Sequence, residues 1–261
     1  MSNINHLNSV YLNYLTPLMK WRILDLESLR RECESNPSYY HFSRVIRKME
    51  KEKIIEAYRH RFNGKKYIFF SSFGERQVAG EKNATSISKD SLIHDLKVSE
   101  IAKNLSNLNG VDNVMLEHEL QNKRDFRTTY KVIPDAIIDL TNNKRRSNMA
   151  LELELTQKNK QRIKEKVKQF MLSSKYDYVI YIFSKPTMMK TYIEEISRAV
   201  GEKYIDRFLF ATDIQLTSNE TNLMELELYQ RGKKLKFGDF LLQQLGCKGS
   251  QKVKNECPPY R

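Results

Sequence analysis

Apolar residues recur at helical spacing through the first fifty positions of the chain. In "LTPLMKWRILDLESLRREC" the period runs through Leu18, Trp21, Ile23, Leu24 and Leu29. Thr16 predicts an N-cap there and Pro17 the first helical position. Asp25 predicts the cap of a second, short helix. "NPSYYHFSRVIRKMEKEKII" predicts a third, with Phe42, Val45, Ile46 and Met49 on one face. Tyr40, Arg44, Arg47, Lys48 and Lys51 take the opposite face. "IIEAYRHRFNGKKYIFF" then predicts strand, turn, strand, because Asn63-Gly64 is a strong hairpin signal. "SSFGERQVAGEKNATSISKD" closes this unit with a short helix and a polar linker near residues 81–90.

The pattern changes from residue 91. "DSLIHDLKVSEIAKNLSNL" predicts an amphipathic helix through Leu92, Leu96, Ile101 and Leu105. "VDNVMLEHEL", "YKVIPDAIIDL" and "MALELELT" predict three strands. "QKNKQRIKEKVKQFML" predicts a helix with Ile163, Val167, Phe170 and Met171 turned inward. A buried strand "YDYVIYIFS", a helix around 187–201 and a strand "RFLFAT" follow. The order α-β-β-β-α-β-α-β predicts a mixed sheet flanked by helices, an α/β (α+β) fold. Residues 231–261 read as a basic tail with an apolar patch "FLLQQL", disordered over 247–261. The expected division is thus 1–80, a linker at 81–90, a sheet domain at 91–230, and the tail.

Composition narrows the class. The 261 residues are 40% hydrophobic, with 14 Tyr and 12 Phe, so a packed core is expected rather than disorder. No apolar run approaches the roughly 18–20 residues of a membrane span, and no signal peptide is read at the N-terminus. Cys33, Cys247 and Cys257 are far apart and in no metal-ligand spacing, which argues against disulfides and zinc. A cytoplasmic location is expected. The net charge is +13 and lies at the two ends. Residues 1–80 hold 14 Lys/Arg against 8 Asp/Glu, and residues 231–261 hold 8 against 2. Such ends suit a polyanion, most simply double-stranded DNA.

Helix, helix, basic helix and basic hairpin is the order of a winged helix-turn-helix, whose third helix enters the major groove. Tyr40, Arg44, Arg47, Lys48 and Lys51 would then face DNA from the helix. Arg59, Arg61, Lys65 and Lys66 would meet phosphates from the wing.

The candidate chemistry lies at Pro134-Asp135 and at "MALELELTQK". Glu152 and Glu154 project from one strand face, and Asp135 begins the preceding strand. If those strands are neighbours, three carboxylates converge and repel one another unless a cation sits among them. Mg²⁺ or Mn²⁺ suits such oxygen ligands and a scissile phosphate. Six Lys/Arg between Lys158 and Lys168, including Lys160 and Arg162, could grip the backbone. Alternation alone is a weak signal, because "MELELYQ" at 224–230 repeats it without a Pro-Asp or a basic helix. That copy is expected to be an amphipathic strand with Glu225 and Glu227 in water. A solvated strand face is the plain alternative for Glu152 and Glu154 too.

"PDAIIDL" and "MALELELTQK" together resemble the PD-(D/E)xK nuclease core. A winged helix before such a core resembles the replication-relaxation family, which includes the MobC-type plasmid mobilisation relaxases. The resemblance covers roughly residues 15–215. It implies a restriction-endonuclease-like domain, a metal held by Asp135 and Glu152, and an acidic residue on the first core helix at Glu100, or else Asp95. It implies site-specific DNA nicking in plasmid mobilisation, with other mobilisation or replication proteins as partners. Glu154 stands where the family pattern usually has Lys, so Lys158 or Lys160 would have to replace that charge, or Glu154 would be a further ligand. A core that no longer cuts leaves a non-catalytic DNA-binding regulator or accessory protein, and a partner-docking scaffold is a third reading. A covalent mechanism would need a nucleophile such as Tyr11 or Tyr14. His94 reads as a polar residue at a helix start. Oligomeric state is not legible in the sequence.

Overall fold

The first helix, α1 (Ser9–Trp21), begins well before Thr16-Pro17. The structure is a computed structural model that describes residues 9–79, 87–121, 132–142, 145–201, 204–214 and 223–244. Tyr11, Tyr14, Leu15 and Leu18 form a buried stripe at helical spacing, so the chain is already helical from the first described residue. Pro17 is therefore interior, and the Thr16 hydroxyl donates back to the Leu12 carbonyl at 2.8 Å instead of capping.

Asp25 caps α2 (Leu26–Glu32) as expected, accepting from the Glu27 and Ser28 amides. Ser38 caps α3 (Tyr39–Lys51), which buries Phe42, Ile46 and Met49. Three antiparallel strands complete the unit, β1 (Ile23–Asp25), β2 (Ile55–Arg59) and β3 (Lys66–Phe70), in the order β1-β3-β2. The hairpin connection spans His60–Lys65 and is not a two-residue Asn-Gly turn. Gly64 alone of the pair takes positive φ, at +67°. Asn63 instead accepts from the Lys65 amide at 3.0 Å and donates to the Tyr67 hydroxyl at 3.2 Å. The short helix α4 (Ser72–Ala79) follows, and the expected linker falls largely on residues 80–86, outside those described.

The second sheet has seven described strands in the order β10-β9-β8-β7-β6-β5-β4. Its first half is α5 (Leu92–Ser106), β4 (Val111–Leu116), α6 (Glu117–Gln121), β5 (Ala136–Asn142), β6 (Arg145–Glu154) and α7 (Lys160–Leu172). Then come β7 (Tyr178–Phe183), α8 (Pro186–Val200), β8 (Phe208–Thr212), β9 (Glu227–Gln230), β10 (Lys233–Lys236) and α9 (Phe237–Gln244). Strands β4 to β6 run as an antiparallel meander, β7 and β8 run parallel to β6, and β9 and β10 return antiparallel. The mixed sheet flanked by helices is as expected, with two departures. "EHEL" turns into helix α6 rather than extending β4. Residues 233–244 of the expected tail belong to the fold, since Phe237, Phe240 and Leu241 are buried on the sheet. Exposed lysines on the edge strand β10 discourage pairing with another sheet. The reading of 247–261 as disordered lies outside the described residues.

One core joins the two units. Val98, Ile101 and Leu105 of α5 pack in the same cluster as Leu18, Trp21 and Leu24. Polar contacts cross the same seam. Lys20 pairs with Glu119 at 3.1 Å and donates to the Val114 carbonyl at 2.5 Å. The Tyr67 hydroxyl donates to Glu100 at 2.7 Å. A second cluster, between α7, α8 and the other sheet face, contains Ile137, Ile163, Val167, Phe170 and Tyr181. Among the described residues no helix is long and apolar enough to cross a membrane.

Candidate functional site

Strands β5 and β6 are neighbours, with Ala136 opposite Leu151 and Ile137 opposite Ala150. One step further along that register, Asp135 faces Glu152. The Leu153 amide donates to Asp135 Oδ2 at 2.7 Å, locking the carboxylate to the adjacent strand. Leu151 and Leu153 point into the core shared with α5. Glu152 and Glu154 therefore point the other way, under α7. There they are buried, at 1% and 4% exposure, so the solvated-face alternative is overturned for this pair. In the second copy Glu225 and Glu227 are exposed as expected and paired to Lys236 and Lys234, but only Glu227–Gln230 is strand, because Leu223–Glu225 forms a 3-10 turn. The same alternation has opposite outcomes because α7 and α8 roof one copy while the other lies near the sheet edge.

The carboxylates line a cleft of about 870 Å³ together with His94, Lys158, Arg162 and Lys166. Tyr181 stands beside Glu152 in the parallel register, and the ring of Tyr192 packs on Phe183. These rings pack behind the two glutamates. Lys166 sets its ammonium on Glu152 Oε2. Glu152 Oε1 is buried with no hydrogen-bond partner among the described residues. Lys158 is 3.8 Å from Glu154. On the opposite wall, His94 Nε2 lies 3.3 Å from Asp135 Oδ2 and 3.2 Å from the Leu153 carbonyl. Its Nδ1 lies 3.3 Å from Asp95.

These placements shift the titrations. Burial pushes the Glu152 carboxyl up to about 8 against the pull of Lys166, with Asp135 and Glu154 adding like-charge repulsion. Glu154 is raised as well, mainly by burial. Burial works against a charged His94, yet hydrogen bonds and charges from Asp135 and Asp95 overcome it and lift the imidazole to about 10. Burial would raise Asp135, but His94, Lys166 and the Leu153 amide hold it below the usual carboxylate range. The Lys166 ammonium is held charged by three carboxylates despite its burial.

Asp135, Glu152, Glu154 and Lys158 are thus brought together. Glu100 is not among the cleft residues; it accepts from Tyr67 and pairs with Lys97 at 2.7 Å, at the seam between the units. Lys160 turns away to Glu195 at 3.1 Å, a buried carboxylate on α8 that also holds Lys164 and Arg198. Arg162 stays exposed at the cleft rim. On α3, Tyr40, Arg44, Arg47, Lys48 and Lys51 are exposed, Tyr40 to 78%. On the hairpin, Arg59 and Arg61 are exposed and Lys65 is half-buried, while Lys66 is drawn back to Glu50 at 2.7 Å. Tyr11 and Tyr14 are core residues of α1, buried and outside the cleft.

Two cleft residues have a larger part than their place in the sequence suggests, Lys166 being one of a basic run and His94 a polar residue at a helix start. Lys166 lies three positions after Ile163 and four before Phe170, on the inward stripe of α7, and that spacing was the available signal. His94 lies off the Leu92–Leu96 stripe, and only the packing of α5 against β6 brings it to Asp135. Among the described residues no group of three or more His, Cys, Asp or Glu is arranged to hold a metal ion. No protein-family model matches the chain, no curated protein matches it, and no solved structure matches its fold.

Proposed function

We propose that the protein binds double-stranded DNA and cleaves a phosphodiester in the Asp135–Glu152–Glu154 cleft with a divalent cation. The observation that carries this reading is a buried pair of glutamates beside an ordered aspartate, with Lys166 on them and Arg162 and Lys158 at the rim. Two burials of like charge on one strand are costly and seldom serve packing alone. The topology supports it. The helix–strand–helix–helix–hairpin order with sheet order β1-β3-β2 is what a winged helix requires. The run α5-β4-β5-β6-α7-β7, an antiparallel meander followed by a parallel fourth strand, is compatible with a PD-(D/E)xK core.

The donor set suits Mg²⁺ or Mn²⁺, since Glu152 Oε1 is buried without a partner among the described residues. Asp135, Glu152 and Glu154 would hold the ion, and it would supply Lewis-acid activation of water and of the phosphate. The remaining work falls to side chains. His94 and the Leu153 amide fix the Asp135 carboxylate. Arg162 and Lys158 attract the phosphate backbone. Lys166 provides the positive charge that Glu154 displaces from the resembled pattern, and it is placed to offset charge on a phosphate. Strand nicking in plasmid mobilisation is the narrower form of this reading and rests on the resemblance in sequence.

Supercoiled plasmid incubated with the protein and Mn²⁺ or Mg²⁺ tests the proposal. Nicking that disappears in both Asp135→Ala and Glu152→Ala is the expected result. Identical products from wild type and Asp135→Ala would end the nuclease reading. The second reading, a non-catalytic DNA-binding regulator, is favoured by Lys166 already neutralising Glu152 from within the chain. It expects salt-sensitive DNA binding in EDTA and no nicking under any metal.

A further inference from the structure

The carboxylate cleft is tied to the N-terminal unit by an unbroken ladder of side chains. Arg22 sits in the joint between α1 and β1, in the left-handed region at φ +61°. Its guanidinium lies 3.2 Å from Asp95 Oδ2. Asp95 Oδ1 lies 3.3 Å from His94 Nδ1, and His94 Nε2 lies 3.3 Å from Asp135 Oδ2. The charges alternate along the ladder: guanidinium, carboxylate, imidazole, carboxylate. Its side chains are mostly out of water, at 17% exposure for Arg22, 11% for Asp95, 29% for His94 and 14% for Asp135. In that setting each group depends on its neighbours for compensation, so loss of one leaves two unbalanced. The ladder also turns Asp135 in one direction. Oδ2 is taken by the Leu153 amide and His94, and Oδ1 takes no hydrogen bond among the described residues.

We infer that Arg22 is a positioning residue for the cleft. Through Asp95 and His94 it holds Asp135 in the rotamer that leaves one oxygen free, and so makes the geometry of the acidic site depend on a joint in the N-terminal unit. This assigns a role to Arg22 and His94 that no spacing along the chain reveals. The metal-affinity arm below rests on the cleavage reading above; the ladder itself does not.

Two measurements on the full chain decide it. The first is a double-mutant cycle by thermal melting in EDTA, using Arg22→Gln, Asp135→Asn and the pair. Asp95 and His94 stand between Arg22 and Asp135 in the ladder, so independence predicts additive changes in Tm, whereas the ladder predicts departure from additivity by more than about 2 °C. Additivity overturns the inference. The second is Mn²⁺ titration without DNA. Arg22→Gln is expected to weaken binding about tenfold, with partial recovery in Arg22→Lys. DNA affinity in EDTA is expected to stay within about twofold of wild type. Arg22→Gln with wild-type Mn²⁺ affinity also overturns the inference. If wild type itself takes up no Mn²⁺, the cleavage reading fails, and the melting cycle still decides the ladder.

Discussion

The ammonium of Lys166 rests on Glu152 Oε2, joining the middle of α7 to the sheet strand beneath it. Glu152 is 1% exposed at that contact and Lys166 32%. A buried carboxylate that loses its cation keeps the full cost of leaving water. Lys166→Met is therefore expected to lower the unfolding free energy by about 3 kcal/mol at pH 9, above the Glu152 value of about 8 where that carboxylate is ionised. Glu152→Gln added to that variant is expected to restore most of the loss. Urea denaturation of the three proteins checks both, and a loss under about 1 kcal/mol for Lys166→Met would mean the pair is a surface contact in energetic terms.

Stability should fall as pH rises, on account of two groups. His94 has its folded pKa raised from 6.5 to about 10. Its contribution is fully present below the unfolded value and is lost as pH climbs through about 10. Glu152, raised from 4.5 to about 8, binds its proton more tightly when folded, so it too favours folding at acid pH, a contribution lost as pH rises from about 4.5 to 8. Thermal melts at pH 7 and pH 9.5 are expected to show a clear drop in Tm for wild type and a smaller one for His94→Gln. Parallel curves for the two proteins would remove His94 from the account.

Gly74 is held by a close approach rather than by an unusual φ. A Cβ placed there would stand 1.8 Å from the Ile54 carbonyl oxygen, a backbone atom that cannot swing aside. The same turn is pinned by the Ser71 hydroxyl, which accepts from the Gly74 amide at 2.9 Å. Gly74→Ala is expected to cost about 3 kcal/mol, read by urea midpoint at unchanged slope.

The exposed face of α3 should carry a measurable share of DNA affinity. Arg47→Ala is expected to reduce the slope of log affinity against log salt by about 1. Lys160→Ala should leave that slope unchanged, because Lys160 is already engaged by Glu195. Fluorescence anisotropy across a salt series separates the two, and equal slopes for Arg47→Ala and wild type would remove α3 as the contact.

The elements were largely legible in the sequence because most strands and helices obey their own periods. Asp25 as a cap, the inward stripe of α3 and the Ile163–Val167–Phe170 face of α7 are local features, and local features write themselves into spacing. Asp135, Glu152 and Glu154 of the candidate site were legible for the same reason, since Pro134-Asp135 and the paired glutamates form a pattern on two neighbouring segments. What escaped is tertiary. The fate of "LELEL" against "MELEL" depends on which copy a helix covers. His94 reaches Asp135 only because α5 crosses β6. Pro17 misled because the apolar stripe of Tyr11 and Tyr14 carries the helix through it, which outweighs one missing donor. The Asn63-Gly64 signal misled because Asn63 spends its side chain on the loop and on Tyr67.

The helix α5 serves both units, giving Val98, Ile101 and Leu105 to one shared core and Glu100 to Tyr67 of the hairpin sheet. A chain built this way cannot be shuffled like beads on a string. A recombination joint placed in the stretch before α5 would strip an apolar helix face and a half-buried carboxylate of their cover, and the fragment would tend to aggregate rather than accept a new N-terminal half. Change in what the N-terminal unit contacts must then come by single substitutions on the exposed face of α3, one side chain at a time, with the seam left intact.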